Sequence, residues 1–442
     1  MRSIQNIDLF FSSECNMNCT YCYVGKKSEE SKQYNNKLRE SIYNGKYAKN
    51  VYDKFKEFKN DITEFGCWGA EPTINGEYFY SLFKQLIEYF PNTERIFFST
   101  NGFLKFNGLK PFIDSTIQLS NEFDKNMKLC IQFSLDGPSW ITDNQRKLNA
   151  TDHLLEALHD TICYISKLNN NKVKFDLHFK PTLNIDTIKT LVEEDKIVDY
   201  FKFFDDIWDY NEPYVTSKLL DVNFKALPTL VNPGKYTQDD GIIFKRFIDS
   251  IYELDESEFK HYRHPFFIQS IKTLEYHKDD LYNNPINIPG FGACGAGLGS
   301  YSIDFNGNVY SCHRYFSEAS SPQDCLYSEA RKYSTIYSKN KDKKQKQLYM
   351  LNTTYHNSLY SRRQFYEIIM LALAKNKQID ESYLYDKKKR DLLFLMIGSF
   401  LCHFGQSEDT SEIFIASTDY CKLLGNGALE SLLRYFIKIG EK

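Results

Sequence analysis

The chain has 442 residues, 42% of them hydrophobic and 26% charged, with a formal net charge of −3. That composition fits a globular protein of two or three domains and excludes a charge-driven attachment to nucleic acid or to an anionic membrane. The longest apolar run, "LLFLMIGSFLCHF" at 392–404, is too short to span a bilayer. No secretory pattern precedes the first predicted strand, so the 11 cysteines point to reduced thiols in the cytoplasm rather than a disulfide scaffold.

In chain order, "IDLFFS" (7–12), "EFGCWG" (64–69), "RIFFST" (95–100), "LCIQFSL" (129–135), "VKFDLHFKP" (173–181) and "YFKFF" (200–204) read as strands. Between them lie helically periodic stretches such as "YFYSLFKQLIEYF" (78–90) and "LLEALHDTICYISKL" (154–168). Strands alternating with helices predict right-handed βαβ units and a parallel α/β sheet, whose chemistry sits at the C-terminal strand ends. A helical bridge follows at 207–290, with "IIFKRFIDSIYEL" (242–254) as its clearest helix. "SYSIDFNGNVYSCHR" (300–314) is a hairpin turning on Asn306-Gly307. Residues 317–358 form a polar loop, and its basic run "SKNKDKKQKQ" (338–347) reads as a solvated face. The chain closes with a helical region at 359–442.

Three cysteines, Cys15, Cys19 and Cys22, stand as C-x3-C-x2-C just after the first strand. Soft thiolates select zinc or iron–sulfur iron, yet the segment continues Tyr23-Val24-Gly25 and offers no fourth ligand. Three thiolates on a four-iron cluster leave one iron open, and an open position separates a catalytic metal site from a structural one.

This run, with Tyr21 as the aromatic before its last cysteine, resembles the signature of the radical S-adenosylmethionine (SAM) superfamily. The resemblance implies a partial (β/α)6 TIM-type barrel over residues 1–206 and a [4Fe-4S] cluster on Cys15, Cys19 and Cys22. It also implies SAM chelating the open iron and being cleaved to a 5′-deoxyadenosyl radical. "CWGAEPTI" (67–74) is similar to the family's G-G-E-P turn, which implies contacts to the methionyl amine from Gly69, Ala70 and Glu71. Cys67 beside it reads as a buried strand cysteine. "STNG" (99–102) is similar to the family's T-N-G element and brings in Asn101. "FSLDGPSWITDNQR" (133–146) resembles the stretch of the SPASM branch that carries a Ser for SAM's carboxylate or ribose and an Arg for its carboxylate. Those roles fall to Ser134 and Arg146. Asp136 either joins them or caps the turn at Gly137. "YFKFFDDIW" (200–208) matches the family's sixth strand, which implies a backbone contact to adenine near Phe204.

The spacing C-x12-G-x4-C from Cys294 through Gly307 to Cys312 is similar to the opening of a SPASM/twitch-like domain, expected here at 291–316. The longer cysteine run of a full SPASM domain is missing. The expected ligands of one auxiliary [4Fe-4S] cluster are Cys294, Cys312, Cys402 and Cys421, with Cys325 in reserve; the alternative is that these are relict thiols in a core. His313 stands where related maturases carry a base, and reads equally as a hairpin side chain or a group backing the cluster. Asp304 is a second candidate acid, although Asp before Asn-Gly usually serves the turn.

The resemblance therefore implies an enzyme that abstracts hydrogen from a peptide or protein, forming a crosslink or an oxidised residue. Implied partners are a flavodoxin- or ferredoxin-type electron donor and a separate leader-peptide recognition protein, with no nucleic acid and no membrane. Two alternatives stay open: a small-molecule radical SAM dehydrogenase, and a non-catalytic iron–sulfur redox sensor or scaffold.

Overall fold

The structure is a computed structural model. It describes residues 4–22, 29–169, 172–223, 229–230, 236–254, 259, 299–310, 312–313, 371, 373–375, 379–386, 422–432 and 434. Cys294, Cys325, Cys402 and Cys421 lie outside the described residues, as do the expected polar loop and the apolar run at 392–404.

The described parts of Met1–Phe179, Asp209–Asn223 and Ala296–His356 form one compact unit, and those of Lys180–Trp208, Phe224–Gly295 and Asn357–Lys442 form another. The first unit is built on β1 (Asn6–Ser12), β2 (Glu64–Gly69), β3 (Arg95–Thr100), β4 (Met127–Phe133) and β5 (Val173–Phe179). These fall within two residues of the first five predicted strands. In the second unit β6 (Thr182–Leu183) pairs in parallel with β8 (Thr229–Leu230). The first unit is completed by β7 (Leu220–Asn223), β9 (Ser300–Ile303) and β10 (Val309–Tyr310), in the order β10-β9-β1-β2-β3-β4-β5-β7. Every pair in that sheet is parallel except β9 with β10.

Two expectations change here. The segment 200–204 lies inside a helix, α8 (Ile197–Asn211), and the sixth parallel strand is β7. Tyr200, Phe201, Phe204 and Ile207 are all buried, at helical and not alternating spacing. The aromatic density of the segment had imitated a strand, and with the strand goes the basis for placing adenine near Phe204. The hairpin of β9 and β10 forms as predicted, but β9 joins the barrel sheet on the free edge of β1, with Asn6 opposite Ser300 and Leu9 opposite Ile303. Tyr47 ties that seam by donating its hydroxyl to the carbonyls of Phe10 and Ile303, each at 3.0 Å.

The sheet has two chemically different faces because strand side chains alternate. Ile7, Leu9, Phe11, Phe65, Cys67, Ile96, Phe98, Leu129, Ile131, Phe133, Phe175 and Leu177 are buried on one face. The same unit holds helices α1 (Glu29–Tyr43), α2 (Lys46–Phe55), α3 (Phe79–Tyr89), α4 (Lys105–Glu122), α5 (Ser139–Gln145) and α6 (Ala150–Ser166), and Phe79 and Phe83 of α3 stand edge-on to Phe11 and Phe65 of this face. Phe112 of α4 stacks on Phe98 at 4.2 Å and stands edge-on to Phe11 at 6.1 Å. Each such side chain is worth roughly 1.5–3 kcal/mol of burial, so this face fixes the strand ends. The opposite face carries Asp8, Glu64, Trp68, Arg95, Phe97, Ser99, Lys128, Cys130, Gln132, Asp176 and His178.

The second unit holds α7 (Ile185–Glu193), α9 (Gln238–Glu253) and short described helical stretches nearer the C-terminus. Its helix starts are written in sequence. Asn184 Oδ1 accepts from the Thr187 amide at 2.7 Å, and Thr237 and Asp240 form a capping box. Among the described residues, no helix is long and apolar enough to cross a membrane.

Candidate active site

The loop carrying Cys15, Cys19 and Cys22 leaves β1 at Ser12 and is gripped from three sides. The first grip is the turn after β2. Ala70 N–H donates to Ser12 O at 2.7 Å and Glu71 N–H to Glu14 O at 2.8 Å. Gly69 has φ +120°, and a Cβ there would stand 2.2 Å from Ser12 O. The close approach that requires glycine is therefore to the chain's own β1. Nor does the Glu71 carboxylate, 2% exposed, face outward. It accepts from Thr73 Oγ1 at 2.6 Å, Thr100 Oγ1 at 2.9 Å and Asn101 N–H at 2.8 Å. Burial pushes its pKa up and these bonds pull it back, so its work is to lock the β2 end to the β3 end.

The second grip comes from the T-N-G element after β3. Asn101 Nδ2 lies 3.5 Å from Cys15 Sγ and donates to Asn16 Oδ1 at 2.8 Å, while its Oδ1 accepts from Phe103 N–H at 2.9 Å. The third comes from the segment after β4. Arg146 Nε and Nη2 bind Asp136 bidentately at 2.8 and 2.7 Å, and Tyr21 donates to the same carboxylate at 2.6 Å. Asp136 is thus a partner of the cysteine loop as well as a turn residue. The Arg146 guanidinium lies over the Tyr21 ring at 5.3 Å and places Nη1 4.0 Å from Cys19 Sγ. Burial works against the Arg146 charge, but Asp136 outweighs it and holds the guanidinium protonated. The side chain expected to reach SAM's carboxylate is largely committed to the protein.

The thiols are graded in exposure: Cys22 is exposed, whereas Cys15 and Cys19 are half-buried. Burial raises the Cys19 pKa, with Arg146 partly offsetting it. Among the described residues, no three His, Cys, Asp or Glu converge on one ion position. A three-thiolate cluster does not ask for that, since each sulfur takes its own iron. The donor set fits such a cluster: three thiols on one loop, and N–H groups of Asn101 and Arg146 beside two of the sulfurs. Ser134, at the β4 end, is half-buried, with its Oγ 3.2 Å from Ser99 Oγ.

Below the loop, the polar sheet face brings His313 together with groups that the sequence reading passed over. Trp68 lies flat on the His313 ring, 3.7 Å between centroids at 5°, and Asp8 Oδ2 is 3.1 Å from His313 Nδ1. Gly66 makes room for this: a Cβ there would be 2.6 Å from Trp68 Nε1 and 2.8 Å from Asp8 Oδ1. Phe97 continues the aromatic wall, 5.3 Å from Trp68 and 6.0 Å from His178. Deeper, Glu64 pairs with Arg95 at 2.7 Å and Asp176 with Lys128 at 2.8 Å. Arg95 Nε also lies 3.0 Å from Cys130 Sγ, whose thiol burial pushes up to about 11. His313 thus stands against the polar sheet face. Asp304 does not: fully buried, it accepts from Asn306 N–H, Asn308 N–H and Asn308 Nδ2, each at 2.9 Å, and serves the hairpin turn. Cys312 is buried, and Cys67 is the buried strand thiol expected.

Residues 9–194 match the family model described as the radical SAM superfamily. A curated relative, the radical SAM cyclopropyl synthase TigE of Paramaledivibacter caminithermalis, is 25% identical over 327 residues, which is 70% of this chain and 57% of that protein. The chain spans little more than half the length of that relative. Residues 9–194 are a radical SAM superfamily domain, and such a domain implies a four-iron cluster with SAM.

Proposed function

We propose that the radical SAM domain makes this chain an enzyme that abstracts hydrogen from a peptide or protein substrate, forming a crosslink or an oxidised residue. The observation that carries the reading is the convergence of Cys15, Cys19 and Cys22 with Asn101 and Arg146 at the C-terminal ends of β1 to β4, above a polar sheet face. When bound, the cluster and SAM supply reductive cleavage of the sulfonium and the organic radical that follows. The chain supplies the rest. Asn101 and Arg146 place N–H groups beside Cys15 and Cys19, which favours the more negative, reduced state of thiolate-bound iron. Ser134 and the turn at Gly69 and Ala70 stand at the C-terminal ends of β4 and β2. Asp8 orients the His313 ring through Nδ1, and Trp68, stacked on that ring, forms with Phe97 a wall that limits water near a reacting carbon.

The peptide substrate is supported by the C-x12-G-x4-C pattern and its hairpin. The relative's name adds cyclopropyl formation to the bond-forming outcomes. An auxiliary cluster on Cys312 with Cys294, Cys402 and Cys421, a flavodoxin- or ferredoxin-type donor, a separate leader-binding protein and a cytoplasmic setting belong to the same proposal. The test is anaerobic reconstitution, then dithionite and SAM, with 5′-deoxyadenosine measured by chromatography. Turnover in the wild type and none in Cys19→Ala is expected. Intact SAM with a fully loaded cluster would leave the scaffold reading standing.

A further inference from the structure

Three polar side chains that the chemistry above does not use line up on α6 and the end of α8. His159 and Cys163 sit one helical turn apart, with Cys163 Sγ 3.6 Å from His159 Nε2. The other ring nitrogen, Nδ1, lies 3.0 Å from Asn211 Oδ1, and Asn211 is 2% exposed. An amide oxygen only accepts, so it fixes the proton on Nδ1 and turns the Nε2 lone pair toward the thiol. Tyr214 closes on the imidazole edge-on at 4.7 Å and Tyr210 lies tilted against it at 5.3 Å, which restricts the ring plane. Cys163 itself is half-exposed. The order nucleophile, base, orienting amide is the arrangement that activates a thiol.

We propose that Cys163 is an activated thiol and a modification site, taking low-molecular-weight disulfides by thiol–disulfide exchange. The Cys163 proton passes to His159 Nε2, and the thiolate attacks one sulfur of the disulfide. A Cys163–S–S–R bond forms, the original S–S bond breaks, and the departing thiolate takes the proton from His159. The disulfide is the oxidant, and one of its sulfurs leaves reduced. Acyl transfer is a poorer fit, because Cys163 lies within α6, where backbone N–H groups are spent on helix bonds and none is left to stabilise an oxyanion.

The test treats the cluster-loaded protein with oxidised glutathione at neutral pH and follows the Cys163 mixed disulfide by peptide mass mapping. Half-burial alone would make this thiol slower in the folded protein than in the urea-unfolded chain. Activation predicts the reverse, faster by about tenfold or more. In His159→Gln with unchanged iron content the advantage disappears. A folded-state rate below the unfolded one overturns the proposal, and so does an undiminished rate in His159→Gln.

Discussion

At the scale of single residues, the site is held by contacts that tolerate little change. Gly69 has no room for a Cβ and a φ of +120° that side chains avoid. Gly69→Ala is expected to cost about 2 kcal/mol or more and to displace Ser12 at the root of the cysteine loop. Urea unfolding gives the first quantity, and iron bound per chain after reconstitution reports the second. Asp136→Asn tests a different mechanism. It leaves the Arg146 guanidinium buried without its countercharge, which costs roughly 3–5 kcal/mol, and loosens Tyr21 beside Cys19. Asp136→Asn with wild-type stability would mean that the guanidinium finds another anion. The cysteine spacing was legible because it is local, eight residues on one loop. The inward commitments of Glu71 and Arg146 were not, because their partners Thr100 and Asp136 are 29 and 10 positions away and only the folded strand ends bring them near.

At the scale of elements, α1 and the short 3-10 helix Pro72–Tyr78 act as a bracket for the cysteine loop. Asn35 and Asn75, both fully buried, exchange amide hydrogen bonds at 3.1 and 2.8 Å. Asn35 also reaches Glu14 Oε1 at 2.8 Å, and Asn75 donates to Phe11 O at 2.7 Å. Asn35→Ala is therefore expected to lower iron retention several-fold on gel filtration of reconstituted protein, with a far-UV circular dichroism spectrum like the wild type. The five leading strands were readable from their apolar runs. Their polar faces were overlooked because each run shows only two to four alternating polar positions; Lys174, Asp176 and His178 are one such series. Asp176 gives that face a pH signature. Burial pushes its pKa up, but hydrogen bonds from His178 and Lys128 outweigh it and hold the carboxyl well below its ordinary 3.8. A depressed acid stabilises the fold above its unfolded pKa and loses that contribution as pH falls toward the folded value. Asp176→Asn should thus differ from wild type by about 1 kcal/mol at pH 7, discounted for the half-exposed Lys128, and by progressively less below about pH 4. Urea midpoints across that range are the check; a gap that widens on acidification would reverse the sign.

At the scale of the whole molecule, the question is whether the hairpin after residue 299 serves a second cluster or the barrel. Parallel pairing of β9 with β1, the Tyr47 bonds across that seam and the stacking of His313 on Trp68 all make the segment part of the sheet that carries the cysteine loop. No sequence pattern announces this, because the pairing joins strands some 290 residues apart and β9 reads locally as half of a hairpin. The proposed second cluster adds Cys312, one residue before His313, to that same wall. Iron counting separates the two roles. Reconstituted wild type should hold about eight irons per chain if the auxiliary cluster forms, and about four if it does not. Cys312→Ala then divides the outcomes further. A drop of about four irons with the SAM-cluster signal intact places an auxiliary cluster beside the polar sheet face. Unchanged iron assigns the hairpin to the barrel wall alone. In that case the expected loss is in substrate-dependent turnover, since His313 would shift against Trp68 and Asp8 while SAM cleavage without substrate persists.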